Sequence, residues 1–368
     1  MAFHRRAVAS NILSIATLSL AAGLQLGFFS ATHPVLPVRM ALALLALTLV
    51  FGAVFSALRH AEMIAHRLGE PYGTLVLTFA VTVIEVSLIV AMMLHGDNNP
   101  TLARESVFST VMIICGGVIG FCLTFGGLRH RQQELKRQGT HAYLAVLTAL
   151  AVLTLVLPNY TLTAGHGSFS HAQLAFVSVL SVLLYGSFVH AQMGLHRDDF
   201  IEELTRPEPG KHRRSEGGIA TSVLLLFVGL AGVVLLAEAI AVNVEDALEA
   251  LNVRQADAIA GAFIATLALM PEALAAFRAS LKNELQRSLN IALGSTCATI
   301  GLTIPAVAAA SLIIGKELTL GLSSGDTVLL LLVLAVSMIS FGTGRTTFLT
   351  GLVHLVIFSA YVFLIFFP

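Results

Sequence analysis

Apolar stretches of about 20 residues recur along almost the whole chain, and they constrain the fold more than any other feature. In a bilayer every backbone N–H and C=O has to be bonded within the protein, so a spanning stretch of this length forms a helix. Only 11% of the 368 residues are charged, against about 25% in soluble domains. We therefore predict an all-α, polytopic membrane protein with about eleven transmembrane helices. The predicted spans are residues 8–29, 38–57, 72–94, 106–127, 141–158, 172–190, 218–240, 256–277, 288–313, 327–343 and 346–367.

The positions of the basic residues support this count independently. All but four of the 21 Lys and Arg residues lie at the N-terminus or in every second predicted loop, the exceptions being Arg39, Arg104, Arg254 and Lys316. Basic residues accumulate on the cytoplasmic side of a membrane protein. The N-terminus is therefore predicted to be cytoplasmic, and an odd number of spans places the C-terminus outside.

The longest hydrophilic stretch, residues 196–218, divides the chain near its middle. It is acidic first and basic later, and Pro207, Pro209 and Gly210 interrupt any helix. We interpret it as a cytoplasmic linker, which serves either as a solvated connector or as a regulatory, cation-sensing segment.

The spans on either side of this linker form two groups of five. An odd number of spans in each group forces the two groups into opposite orientations, which is the inverted-repeat plan of many secondary transporters. The predicted organisation is an N-terminal helix (1–37), a first five-helix repeat (38–190), the charged linker (191–217) and a second five-helix repeat (218–368).

Two glutamates lie in the middle of apolar stretches, one in each half of the chain. Glu85 follows Thr82-Val83-Ile84, and Glu272 follows Leu269-Met270-Pro271. A carboxylate at this depth costs roughly 2.5–3.5 kcal/mol on insertion scales, so such residues indicate function. Each belongs to the second helix of its group, so an inverted repeat would place the two near the midplane, facing each other. A purely structural helix–helix hydrogen bond is the alternative.

The neighbours of Glu85 include further oxygen donors. A hard cation such as Ca²⁺ prefers carboxylate, carbonyl and hydroxyl oxygens. Thr78 and Thr82 lie seven and three residues before Glu85, which is roughly the same helix face. We predict that both support the ion, although a bond from each hydroxyl to its own helix is a common alternative.

The second half offers donors of two kinds. Pro271 has no backbone N–H, so the carbonyl of Leu267 loses its helical partner and becomes available to an ion. The following helix carries Ser295 and Thr299 in the segment Gly294-Ser295-Thr296-Cys297-Ala298-Thr299. We predict that Ser295 and Thr299 complete the ligand shell around Glu272, with the same back-bonding alternative as for the threonines near Glu85.

The same two carboxylates can also bind protons. Burial and a facing carboxylate both favour the protonated form until a cation neutralises the pair. Proton and cation then compete for one set of oxygens, which is the minimal chemistry of an antiporter. Glu62 and Glu238, near helix ends, are predicted to line a proton path, with ordinary interfacial positions as the alternative.

Several classes of function lack their sequence signatures. The chain contains no His-Glu-x-x-His, no phosphate-binding Gly-x-x-x-x-Gly-Lys-Ser/Thr loop and no Gly-x-Ser-x-Gly elbow. We therefore predict a protein that is not an enzyme and has no resident cofactor. Equal numbers of basic and acidic residues provide no bulk attraction to nucleic acid. Cys115, Cys122 and Cys297 lie in apolar segments and are interpreted as small buried hydrophobes.

Two segments resemble a known family. Residues 69–75 (Gly-Glu-Pro-Tyr-Gly-Thr-Leu), running into Val81-Thr82-Val83-Ile84-Glu85-Val86, resemble the first repeat of bacterial calcium/proton antiporters of the ChaA type. Residues 290–295 (Asn-Ile-Ala-Leu-Gly-Ser), with Ile304-Pro305, resemble the second repeat. This group belongs to the cation/proton exchanger branch of the calcium:cation antiporter superfamily, and the resemblance covers essentially the whole chain.

The resemblance implies that Glu85 and Glu272 bind Ca²⁺ and exchange it for protons, with Ser295 assisting. It also implies export of cytosolic Ca²⁺ across a bacterial inner membrane, with Na⁺ or K⁺ as further substrates. Apart from the resemblance, a homo-oligomer is one assembly that the chain could form. The wider branch carries Gly-Asn-x-x-Glu in both repeats, of which this chain keeps only the glutamates. A Na⁺ or K⁺/proton antiporter is therefore the main alternative. A channel, an intramembrane enzyme and a helical bundle with structural glutamates are the others.

Overall fold

The computed structural model of the protein describes most of the chain from Pro100 onward and less of the part before it. The described residues are 72–95, 100–162, 165–194, 196–200 and 256–367, with shorter stretches between 12 and 64 and between 220 and 236.

The described residues are mostly helical, as the apolar stretches predict. In chain order the helices are α1 (15–23), α2 (Thr48–Ala57), α3 (Tyr72–His95), α4 (Leu102–Val111), α5 (Ile119–His130), α6 (Arg137–Ala151), α7 (His171–Met193), α8 (Ala220–Gly229), α9 (Ala256–Leu281), α10 (Leu285–Ala298), α11 (Ile304–Ile314), α12 (Ser324–Phe341) and α13 (Phe348–Phe366).

Six helical runs of the described part are long and apolar enough to cross a bilayer, and α9 makes a seventh if its two bent halves form one span. The six are Leu102–His130, Arg137–Tyr160, His171–Met193, Leu285–Ile314, Ser324–Phe341 and Phe348–Phe366. Each of these seven matches a predicted span, and α3 covers the predicted span 72–94. The other three, 8–29, 38–57 and 218–240, lie largely outside the described residues. The count of eleven and the inverted repeats therefore remain predictions.

Three of the runs contain a π-helical turn. Met112–Val118 joins α4 to α5, and Thr299–Thr303 joins α10 to α11, so that each pair forms one long helix. A third π-helical turn, Val152–Val156, follows α6 and leads into a short 3₁₀ turn, Leu157–Tyr160. Such turns widen the helix by one residue and occur frequently at functional sites.

The structure departs from the predicted all-α class in one respect, because it also contains a small two-stranded sheet. Strand β1 (Gln132–Glu134) pairs antiparallel with β2 (Arg345–Thr347), so that Gln133 lies opposite Thr346. The side chains of Arg345 and Glu134 form an ion pair of 2.9 Å between Nη2 and Oε1. The two strands lie in polar loops between spans, where water can bond the free edges of the sheet. Because β2 separates α12 from α13, the predicted limits 343 and 346 were too close together.

Two compact units divide the chain, and each takes segments from both halves of the sequence. One comprises residues 1–99 and 210–256, and the other comprises residues 100–209 and 257–368. Glu85 belongs to the first unit and Glu272 to the second.

Within the second unit, α5 and α13 pack through a seam of small residues. A Cβ at Gly120 would lie 2.9 Å from the Cγ of Leu355, and one at Gly127 would collide with the backbone of Phe348. Gly351 makes the same kind of contact from the opposite helix, against the backbone of Thr124. Small residues let helices approach closely where lipid supplies no hydrophobic driving force.

The outer faces of the spans in this unit are apolar. Phe176 on α7, Ile339 on α12 and Val356 on α13 are all exposed. Rows of exposed apolar side chains suit a surface in contact with lipid tails. The faces fit an integral membrane protein.

Candidate functional site

Glu85 lies deep inside its helix bundle. It is 1% exposed on α3, among the buried side chains of Ile84, Leu88 and Ile89. Thr82, one turn earlier on the same helix, is buried as well, so the predicted common face of Thr82 and Glu85 is an interior face. Thr78 belongs to the same helix, one turn further from Glu85.

Glu272 occupies the bend of α9. The axis of this helix turns by 55° between the segments Ala258–Met270 and Glu272–Leu281, at Pro271. A proline removes the hydrogen bond to the carbonyl four residues earlier and clashes with it, so the helix kinks there. The predicted break is confirmed. Glu272, the residue after this proline, is 9% exposed.

Ser295 and Thr299 lie where α10 passes into its π-helical turn. Both are buried, and their spacing of four residues places them on one helix face. Thr296, between them, donates its hydroxyl to the carbonyl of Ala292 at 2.9 Å. The back-bonding alternative therefore holds for Thr296, whereas Ser295 and Thr299 stay the predicted ligands in this unit.

Tyr185 is a site residue that the sequence analysis did not select. Its side chain is buried on α7 and lies within electrostatic range of Glu272. A Cβ at Gly301, in the π-helical turn after Thr299, would come within 2.7 Å of the Cβ of Tyr185. Tyr185 therefore packs against the turn that follows the α10 hydroxyls. A tyrosine inside an apolar stretch, in a chain with only five tyrosines, was the available signal.

Glu105 is a second buried polar residue that the sequence did not point to. The predicted span began at residue 106, but the helix begins at Leu102, so Glu105 lies within the apolar run and is only 6% exposed. Arg104 donates to Glu105 Oε1 from Nε at 2.9 Å and from Nη2 at 2.6 Å. Its Nη1 donates to the carbonyl of Gly321 at 2.7 Å. Arg104 is one of the four basic residues that break the loop alternation. An acidic residue next to such an exception indicates an ion pair within the span.

The buried face of α4 also carries hydroxyl groups. The hydroxyl of Tyr361 donates to Ser109 Oγ at 2.6 Å. Ser106 and Thr110, also buried, have hydroxyl oxygens that contact no hydrogen-bond partner among the described residues. Serines and threonines thus line α4 as they line α10, and each helix continues into a π-helical turn.

Some predicted site residues lie elsewhere. Glu62 and Glu238 are outside the described residues. Glu85, Thr82 and Thr78 belong to one compact unit, and Glu272, Ser295 and Thr299 belong to the other. The facing arrangement of the two glutamates therefore remains a prediction. No group of three or more His, Cys, Asp or Glu side chains suited to a metal ion occurs in the described part of the chain.

Comparisons with known proteins match most of the chain. The model of the sodium/calcium exchanger protein family matches residues 38–194 and 221–367. The chain is 43% identical over 333 residues to the ionic-transporter candidate y4hA of Sinorhizobium fredii (strain NBRC 101917 / NGR234), covering 90% of each chain. It is 37% identical over 343 residues to the sodium-potassium/proton antiporter ChaA of Escherichia coli (strain K12), covering 92% of each.

The fold also matches a solved structure. The H⁺/Ca²⁺ exchanger CAX superposes with a TM-score of 0.68 at 16% sequence identity, covering 98% of this chain and 88% of that one. At this level of identity the likeness concerns the fold, which is that of a membrane exchanger. The resemblance identified from residues 69–86 and 290–305 is thereby confirmed.

Proposed function

Because the chain belongs to the sodium/calcium exchanger family, we propose that it exports cytosolic Ca²⁺ in exchange for external protons by alternating access. The family is one of membrane transporters, and the relative that is 37% identical is named an antiporter. One observation carries the assignment to this chain's own residues. Glu85 and Glu272 are both buried in apolar helices, Thr82 is buried one turn from Glu85, and Ser295 and Thr299 are buried on α10.

The chemistry of exchange follows from this burial. A carboxylate buried in an apolar helix is costly in its charged form, so binding of a proton or of a cation is favoured there. Two such carboxylates compensate both charges of a divalent ion, and release of the ion leaves both ready for protons. Thr82 and Thr78 on α3, and Ser295 and Thr299 on α10, supply further oxygens. The bend at Pro271 adds the carbonyl of Leu267.

A monovalent cargo is the second candidate, and a specific observation favours it. The relative that is 37% identical is named a sodium-potassium/proton antiporter. The chain lacks the asparagines of the Gly-Asn-x-x-Glu signature, which thins the oxygen shell, and a monovalent ion requires only one carboxylate. Competition between Ca²⁺, Na⁺ and K⁺ for the same proton flux decides between the two cargoes.

The proposed layout is a bacterial inner-membrane protein with two inverted five-helix repeats, a cytoplasmic N-terminus and an external C-terminus. The two matched segments of the family model, on either side of residues 195–220, support the repeat. The alternation of basic loops supports the orientation. Both curated relatives named above come from bacteria. Glu62 and Glu238 remain the proposed proton-path residues, and a homo-oligomer remains the proposed assembly.

The test is cation-triggered proton flux in proteoliposomes that contain a pH-sensitive dye. In proteoliposomes with an acidic interior, we expect Ca²⁺ added outside to trigger release of internal protons by the wild type. Glu85→Gln and Glu272→Gln should each abolish this release. Glu134→Gln is the matched control, because the Glu134 side chain is 75% exposed in β1. Retention of exchange in either of the first two variants would overturn the site assignment.

A further inference from the structure

The segment His196–Phe200, which we name the linker head, is docked on the helices of the second unit. It follows α7 directly, and its last residue, Phe200, is only 5% exposed. The Phe200 ring packs edge-on against Tyr143 of α6, with centroids 5.4 Å apart, and against Phe188 of α7, at 5.9 Å. Tyr143 and Phe188 are themselves 4.9 Å apart. Three aromatic rings from three elements thus form one cluster, and only Phe200 comes from the linker.

Side chains of the neighbouring helices bind the backbone of the linker head. Asn290 of α10 donates its side-chain amide to the carbonyl of Phe200. Lys136 Nζ donates to the carbonyl of Asp198 at 3.2 Å. Gly139 of α6 has no side chain where the carbonyl of Asp199 passes, and a Cβ there would collide with it. The linker head is therefore bonded to α10 and to the start of α6.

A chain of amides extends this attachment. The backbone N–H of Lys136 donates to Gln286 Oε1 at 2.8 Å. Gln286 Nε2 then donates to Asn290 Oδ1, also at 2.8 Å. Asn290 accepts from Gln286 through Oδ1 and donates to the Phe200 carbonyl through Nδ2, so its amide links α10 to the linker head.

Tyr143 transmits this contact to the predicted ligands. Its hydroxyl oxygen accepts from Gln192 at 2.6 Å and lies 3.5 Å from where a Cβ of Gly294 would be. Cys297, one turn beyond, directs its thiol at the Tyr143 carbonyl at 3.6 Å. Gly294 precedes Ser295 directly. Phe200 therefore presses on the side chain that supports α10 immediately before Ser295.

We propose that the linker head is a clamp that positions α10, with Phe200 and Asn290 as positioning residues for the cation site. Neither is a ligand; both set the position of Ser295 and Thr299 relative to the ion. The inference rests on the proposed cation exchange. As a consequence, a change in the conformation of the cytoplasmic linker would alter the cation site through the Phe200 ring and the Asn290 amide.

The first test separates affinity from turnover. We expect Phe200→Ala to raise the half-saturating Ca²⁺ concentration of proton flux by about tenfold, equivalent to about 1.4 kcal/mol, with the maximal rate little changed. Asn290→Ala should act in the same direction, and Phe200→Tyr should restore most of the affinity. Phe176→Ala is the matched control, because this residue is 64% exposed on α7 and outside the cluster. An unchanged half-saturating concentration in Phe200→Ala would overturn the proposal.

The second test does not depend on transport. In a Cys115→Ala, Cys122→Ala background, the thiol of Cys297 is buried against Tyr143. We expect a small maleimide to label it faster when Phe200 is replaced by Ala, and also by Leu, which disturbs folding less. Equal labelling rates would refute the clamp even if no flux were found. Absence of Ca²⁺-, Na⁺- and K⁺-dependent flux in the wild type would refute only the proposed function.

Discussion

Gly261 of α9 lies directly against Glu105 of α4. A Cβ at position 261 would come within 2.6 Å of the Glu105 Cβ and within 2.7 Å of its carbonyl carbon. The helix that carries Glu272 therefore crosses α4 at the Arg104–Glu105 ion pair, whose carboxylate is buried. The crossing is tight enough that only glycine fits it without displacement.

The close approach predicts a steric penalty at position 261. Gly261→Ala should destabilise the protein by about 1–3 kcal/mol, because the added methyl group meets backbone atoms that cannot rotate away. Gly186→Ala on α7 is the control, since nothing lies within 4 Å of its Cβ position. There the loss of a helical glycine should leave stability unchanged or slightly raised. Thermal unfolding in detergent compares the two, and equal midpoints would contradict the packing.

The Arg104–Glu105 pair predicts an asymmetric response to mutation. Arg104→Ala should destabilise by about 3 kcal/mol, since it leaves a buried carboxylate without its charged partner. The double variant Arg104→Met, Glu105→Gln removes both charges and should lie closer to the wild type. Thermal unfolding of the two variants checks this order. A double variant less stable than Arg104→Ala would show that the pair is not the source of the effect.

The bend of α9 predicts a role for Pro271 in transport. Pro271→Ala supplies the missing N–H, so the Leu267 carbonyl regains its helical bond and the helix straightens. Glu272 is then turned away from its position at the bend, and we expect cation-dependent proton flux to fall sharply. Pro271→Gly also supplies the N–H but keeps backbone freedom, so it should retain more flux than the alanine variant. The bend is dispensable if Pro271→Ala exchanges as the wild type does.

The π-helical turn Met112–Val118 depends on a buried histidine. His354 of α13 contacts the carbonyl of Cys115 through Nδ1 at 2.6 Å, and Ser340 Oγ through Nε2 at 3.1 Å. Because a carbonyl only accepts, Nδ1 carries the proton and Nε2 accepts from the serine. His354→Ala should cost about 1–3 kcal/mol by leaving the carbonyl unsatisfied. His354→Asn keeps a donor near Nδ1 and should recover part of this loss in thermal unfolding; equal losses would contradict the bond.

Much of the helical architecture was predictable because lipid imposes a local rule. A stretch of apolar residues has to satisfy its own backbone, so Leu285–Ile314 and Phe348–Phe366 could be located from composition alone. The break at Pro271 was equally local, since one missing N–H decides it. The burial of Glu85 and Glu272 followed from the apolar residues on either side of each glutamate.

The partners of the buried groups were not predictable, because they come from distant parts of the chain. Arg104 binds the carbonyl of Gly321, 217 residues away, and this contact helps Glu105 to lie inside the span. The π-helical turns are similar. The π-helical turn Thr299–Thr303 packs against Tyr185 at Gly301, and the spacing of apolar residues in the sequence does not indicate this contact.

The membrane class, the family, the position of most spans and the burial of the two glutamates could be predicted without a structure, because each depends on neighbouring residues or on a short motif. The packing of the helices was needed to show that Glu105 is buried, that Tyr185 packs at Gly301 and that Phe200 completes an aromatic cluster with Tyr143 and Phe188. Those relationships are contacts between helices. Their free energy comes from shape, hydrogen bonding and charge at a crossing, which the order of residues along one helix does not contain.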